Sequence, residues 1–154
     1  MSVHVALLGR SPWALVNTFY ASVMRGERPE EIYVVTEERD SKNLLKVRKA
    51  IETISNAYGF SCGINSIVIP DNDFREAERV LKKLFSELES RGERIVLNIT
   101  SGRKALVAAA IIHSMDSNVE GVLYLALLDD RFPNRPYMMI PKHLQVLKNF
   151  LGGE

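Results

Sequence analysis

Arg94-Ile95-Val96-Leu97-Asn98-Ile99-Thr100-Ser101-Gly102-Arg103-Lys104-Ala105-Leu106-Val107-Ala108-Ala109-Ala110-Ile111-Ile112 passes from an apolar run to an alanine-rich run through three small residues. Arg94 to Ile99 reads as a buried strand, because a sheet covered on both faces takes a continuous hydrophobic run instead of an alternating one. Gly102 to about Ser117 reads as a helix. A strand that enters a helix through so short a turn is one half of a β-α-β unit, and such units demand a parallel strand to return to.

Moving outward, the same alternation fills the chain. Val3 to Leu8 is a short buried strand closed by Gly9, and Ser11-Pro12 then opens a helix, Ser as cap and Pro at the first helical position, running to about Arg25-Gly26. Glu31 to Thr36 is a second strand, rich in β-branched and aromatic residues. Asp40 or Ser41 is expected to cap a second helix that ends near Tyr58-Gly59, with Leu44, Leu45, Val47, Ile51 and Ile54 at helical spacing. Ile64 to Ile69 is a third strand stopped by Pro70. Asp71 to Asp73 offer caps to a helix with an inner stripe of Phe74, Ala77, Val80, Leu81, Leu84, Phe85 and Leu88, ended by Gly92. After a fifth strand, Val122 to Leu128, comes a polar turn, Asp129 to Pro136. A short antiparallel strand is expected over Tyr137 to Ile140 and a final helix over Lys142 to Leu151. The fold class is therefore α/β: a three-layer, Rossmann-like, doubly wound and mostly parallel sheet with a C-terminal antiparallel edge strand, as one domain over 1–154. Five strand-helix units are too few to close an eight-stranded barrel.

Composition narrows the function. At 154 residues a real core can form without disulfides, and the single cysteine, Cys62, permits none within the chain. Cys62 has no matched base nearby in sequence and reads as a small packed thiol. A net charge of +1 gives no support to a broad duplex-binding face, though it leaves room for a local basic pocket. The longest apolar run, Ala105 to Ile112, is too short to span a bilayer, and Met1 to Gly9 does not read as a signal peptide, so a cytoplasmic location is expected by default. No spacing of His, Cys, Asp and Glu indicates a metal site, and neither G-x-G-x-x-G nor a P-loop is present, so no cofactor is expected. His4 and His113 read as packed or interface side chains, and His143 as a neighbour of a helix cap. Asp129-Asp130 either face the crevice or pair with Arg131 or Arg135.

In doubly wound sheets ligands bind beyond the carboxyl ends of the strands, where the strand order reverses; in the usual order this lies between strands one and four. Gly9-Arg10-Ser11 follows the first of these, and Asn98-Ile99-Thr100-Ser101-Gly102-Arg103-Lys104 covers the turn after the other. Each turn leads into a helix N-terminus, whose unpaired N–H groups and partial positive charge suit phosphate. Thr100 and Ser101 are expected to add hydroxyl donors, and Gly102 to allow close approach. Arg103 and Lys104 are cations at the unfavourable end of a helix dipole, which points to an anion that offsets the cost. The plain alternative is that these residues are only caps, turns and solvated charges. The helix beyond them is apolar nearly all round, so a second covered side is expected, supplied by a two-fold partner or by packing within one chain.

Asn98-Ile99-Thr100-Ser101-Gly102-Arg103-Lys104, with its Asn-x-Thr-x-Gly-x-Lys pattern between an apolar strand and an Ala-rich helix, resembles the CARF family, the CRISPR-associated Rossmann-fold sensors. Gly9-Arg10-Ser11 resembles that family's short polar motif after strand one. Arg103 departs from it, since small hydroxyl residues are common there. The resemblance implies a homodimer that binds cyclic oligoadenylate across the two-fold axis, most simply cyclic tetra-adenylate. No Arg-x4-6-His motif is present and no room for an added effector is apparent, so the resemblance points to a stand-alone ring nuclease of type III CRISPR signalling. It implies metal-independent attack of a ribose 2′-OH on its own phosphate, leaving a 2′,3′-cyclic phosphate. Ser11 would position ribose or phosphate, and Lys104, assisted by Arg103, would stabilise charge; no general base is apparent. Gly9, Arg10, Ser11, Asn98, Thr100, Ser101, Gly102, Arg103 and Lys104 would line the ligand site. The alternatives are a non-catalytic sensor or sequestering module acting on a partner protein, and an unrelated Rossmann enzyme using the same turns for a mononucleotide.

Overall fold

The computed structural model describes residues 2–152. Six strands form one sheet in the order β3-β2-β1-β4-β5-β6: β1 (Ser2–Leu8), β2 (Glu31–Glu37), β3 (Gly63–Ile69), β4 (Arg94–Asn98), β5 (Val119–Leu127) and β6 (Gln145–Asn149). All neighbours are parallel except β5 and β6. Helices α1 (Pro12–Met24) and α2 (Leu44–Ala57) cover one face, packing Leu15, Phe19, Val47 and Ile51 onto Leu8, Ile32 and Val34. Helices α3 (Phe74–Ser90) and α4 (Lys104–Ser114) cover the other, where Leu81, Phe85 and Leu106 meet Val5, Leu7 and Leu97. The result is the three-layer α/β architecture expected, with β1 fully buried at its centre. No helix among the described residues is long and apolar enough to cross a membrane.

Local chemistry sets several boundaries. Ser11 caps α1, its hydroxyl accepting from Ala14 N at 3.1 Å, and Asp73 caps α3 in the same way through Glu76 N. Gly92 ends α3 with φ +71, a conformation other residues adopt at a cost.

The chain departs from expectation in three places. Asp40 and Ser41 do not cap α2: they lie inside a 3₁₀ turn, Glu38–Asn43, and Asp40 is turned inward and buried. Leu45 and Phe74, placed by their spacing on inner stripes, are exposed. At the C-terminus, Tyr137–Met139 is a 3₁₀ turn where a strand was expected, and Lys142–Leu144 another. The helix expected over Lys142 to Leu151 is replaced by β6, which pairs antiparallel with β5. Pairing explains the outcome: β5 leaves an open edge, and Leu147 packs on Val96, Leu123 and Leu125 when the segment is extended. A helix this short repays its nucleation poorly. The antiparallel edge strand exists, but it is built from residues later in the chain.

Charges divide between the two ends of the sheet. At the amino end, Glu27 lies 3.7 Å from His4 Nε2 and accepts a bidentate pair from Arg94. Arg94 also meets Glu120. The His4 imidazole and then Arg94 hold the Glu27 carboxyl down at about 2. A carboxyl depressed by folding contributes stability above its unfolded pKa and loses it as pH falls through the folded value. Acid denaturation of the parent should therefore steepen between about pH 4.5 and 2, and Glu27→Gln should flatten that segment; circular dichroism followed through an acid titration checks it. Cys62 is half-buried, and burial, reinforced by Glu31, pushes its thiol up to about 11. Its alkylation by iodoacetamide at pH 8 should run roughly tenfold or more slower in the native protein than in urea.

Candidate functional site

The carboxyl ends of β1 and β4 lie side by side, with Ala6 paired to Asn98, so the turns that follow leave the sheet together. They are tied to each other. Ser101 Oγ accepts from Gly9 N at 3.0 Å and donates to Ser11 O at 2.7 Å. A Cβ on Gly9 would overlap the Ser101 carbonyl, and one on Gly102 would press into Leu7 and Val107. Both glycines are thus required by the closeness of the two turns to their surroundings. Asn98 is buried, donating to Leu15 O and accepting from Thr100 N. Thr100 Oγ1 sits 2.8 Å from Thr18 Oγ1 and accepts from Leu125 N. The hydroxyls of Thr100 and Ser101, expected from the sequence to point to ligand, are engaged within the protein and act as fasteners between β1, β4, β5 and α1.

Above this floor lies a cavity of about 520 Å³, lined by Arg10, Ser11, Thr100, Ser101, Gly102, Arg103 and Lys104, with Glu37, Arg39 and Asn72 on its far wall. Ser11 and Thr100 also line a second compartment of about 280 Å³ that extends past Trp13 and Asn17 to Tyr124, Asn134 and Arg135. The residues singled out in the two turns are therefore brought together around one crevice. The two cations differ. Arg103 clamps Asp40 with Nε at 2.7 Å and Nη2 at 2.9 Å, and Asp40 holds its guanidinium more basic than usual. The anion inferred from a cation at this helix end is, for Arg103, a protein carboxylate. Lys104 is exposed at the first position of α4, and neither it nor Arg10 forms an ion pair among the described residues.

Sequence reading missed the far wall. Glu37 accepts from Arg39 through Oε2 and from Asn72 N through Oε1, and Arg39 Nη2 donates to Asn72 Oδ1. The available signal was positional: the turn after β2 opens at the same carboxyl edge. Asn134, in the polar turn, reaches Ser11, while Asn17 Nδ2 donates to Arg135 O at 2.7 Å. Asp129 pairs with Arg131. His4 is buried in β1, His113 is half-buried 3.3 Å from Glu78, and His143 is exposed; none lines the crevice. No cluster of three or more metal-ligating side chains occurs among the described residues.

The chain is similar to several known proteins. No protein-family model matches the chain. A CRISPR system ring nuclease of Saccharolobus solfataricus is 28% identical over 154 residues, spanning 94% of this chain and 79% of that protein. Among solved structures, Can2 of Sulfobacillus thermosulfidooxidans in complex with cyclic tetra-adenylate superposes with a TM-score of 0.63 at 14% identity over 100% of this chain. Csm6 of Enterococcus italicus, bound to cyclic hexa-2′-fluoro-hexa-dAMP, superposes with a TM-score of 0.62 at 14% identity over 83% of this chain. The chain spans only 36% and 33% of those two proteins, and at such identities the likeness is one of fold.

Proposed function

We propose, from the premise that the chain is a CARF-type Rossmann domain resembling the stand-alone ring nucleases, that it binds cyclic oligoadenylate in the crevice between β1 and β4 and cleaves it, ending the signal the ring carries. The observation that carries this reading is that Ser11 and Lys104 line one cavity in which Lys104 and Arg10 have no protein counter-charge among the described residues. Helix N-termini and uncompensated cations converge there on space for a phosphodiester.

The chemistry follows from these groups. A ribose 2′-oxygen attacks the adjacent phosphorus in line, the bond to the 5′-oxygen breaks, and the 2′-OH proton passes by way of solvent to the departing oxygen. Lys104 stabilises the charge that builds on the phosphoryl oxygens, and Ser11 positions the ribose or its phosphate. Arg103, its charge largely offset by Asp40, shapes the floor and contributes less. Glu37, the carboxylate in the cavity lining, has its oxygens engaged by Arg39 and Asn72 N, so no side chain is placed to take the proton, and turnover is slow and rests on orientation. The ring this reading favours is cyclic tetra-adenylate, whose two-fold symmetry suits a dimer. The exposed Ile112 on α4 and Met115 just beyond its end support a second copy against that helix.

Incubating the protein with cyclic tetra-adenylate in EDTA and resolving the products by chromatography tests the proposal. Linear products ending in 2′,3′-cyclic phosphate are expected. Among the described residues the crevice lining holds no carboxylate or imidazole without a protein partner, which favours one other reading, a sensor that binds without cutting; tight binding with an intact ring at stoichiometric protein would establish that instead.

A further inference from the structure

Ser11 has one proton and two lone pairs to offer. Its hydroxyl donates to Asn134 Oδ1 at 2.8 Å and accepts from Ala14 N at 3.1 Å. The proton and one lone pair are thus spent within the protein, and what remains for a ligand is a single acceptor site. Asn134 is held in place to do this. It adopts φ +50, and the neighbouring Arg135 carbonyl is fastened by Asn17 on α1, the helix that Ser11 caps. Ser11, Asn17, Asn134 and Arg135 line one compartment, so this anchoring sits at the crevice and not on remote surface.

From this we propose that Asn134 is a positioning residue that fixes Ser11 as a hydrogen-bond acceptor, so that Ser11 receives the ribose 2′-OH and cannot donate to a phosphate oxygen. The inference rests on the cyclic-oligoadenylate reading and decides between the two roles that reading left to Ser11. A 2′-OH that donates to Ser11 has its proton directed away from phosphorus and an oxygen lone pair left to attack. A serine whose proton is free would instead be drawn to the phosphate, the stronger acceptor.

The test compares binding of cyclic tetra-adenylate and of its fully 2′-deoxy ring, which lacks the donor and cannot be cleaved, with the native ring's affinity read before turnover. Ser11→Ala is expected to weaken native-ring binding about fivefold while leaving the deoxy ring nearly unchanged. Asn134→Gly keeps the positive φ available and removes the acceptor; it is expected to shrink the parent's native-to-deoxy preference about fivefold. Asn134→Asp, which can only accept, should retain that preference even if its charge weakens both rings. The ratio of the two affinities is insensitive to a general loss of fold. Equal losses for both rings in Ser11→Ala, or an undiminished preference in Asn134→Gly, would overturn the assignment while leaving the ring-binding reading intact. Failure of the parent to bind either ring would overturn both.

Discussion

Lys104→Ala should slow single-turnover cleavage of cyclic tetra-adenylate about a hundred- to a thousandfold while weakening binding of the ring less than tenfold. The asymmetry comes from where the charge is. Lys104 opens α4, where its ammonium adds to the positive end of the helix dipole and finds no carboxylate to offset it among the described residues. In the bound ring the phosphodiester carries one negative charge. In the phosphorane-like transition state more charge gathers on its oxygens, and an unpaired cation beside them gains most at that moment. Arg103, one residue earlier, is already clamped to Asp40, so Arg103→Ala should slow cleavage far less. Rapid-quench kinetics beside an affinity measurement separate the effects. Equal loss of rate and affinity in Lys104→Ala would reduce that residue to a binding contact.

Gly9→Ala should lower thermal stability by about 3 kcal/mol, on the order of 10 °C in melting temperature, and remove ring binding with it. The methyl group would overlap the Ser101 backbone carbonyl, which belongs to a turn fixed to the centre of the sheet and cannot swing aside as a side chain would. Relief requires the turns after β1 and β4 to part, breaking the bonds from Gly9 N to Ser101 Oγ and from Ser101 Oγ to Ser11 O. Gly63→Ala serves as the comparison, since a Cβ there meets nothing closer than 3.6 Å and should change stability little. A Gly9→Ala protein that melts with the parent would mean that the closeness of the turns is not required.

Five parallel-sheet strands, and the adjacency of the first and fourth, were legible because buried runs punctuated by Gly, Pro and Ser carry local signals and β-α-β connection limits how they can be joined. The crevice followed from topology alone. What escaped was non-local. Asp40 looked like a helix cap, because Asp before an apolar stripe usually is one; its partner, Arg103, lies 63 residues away. β6 was hidden because Gln145–Asn149 acquires its partner only once β5 presents an open edge. Asn134 looked like turn chemistry, which its positive φ bears out, yet its side chain serves a residue 123 positions earlier. Thr100 and Ser101 were read as outward donors because a sequence shows which hydroxyls flank a turn and not which backbone groups will claim them.

Isothermal titration of cyclic tetra-adenylate into the parent protein and into Ser11→Ala and Lys104→Ala, one substitution on each turn, addresses the shared crevice most directly. Saturable heat is expected with the parent, and weaker binding in both variants. No heat with rings of four or six adenylates, or unaltered binding in both variants, would rule out a crevice shared by the two turns.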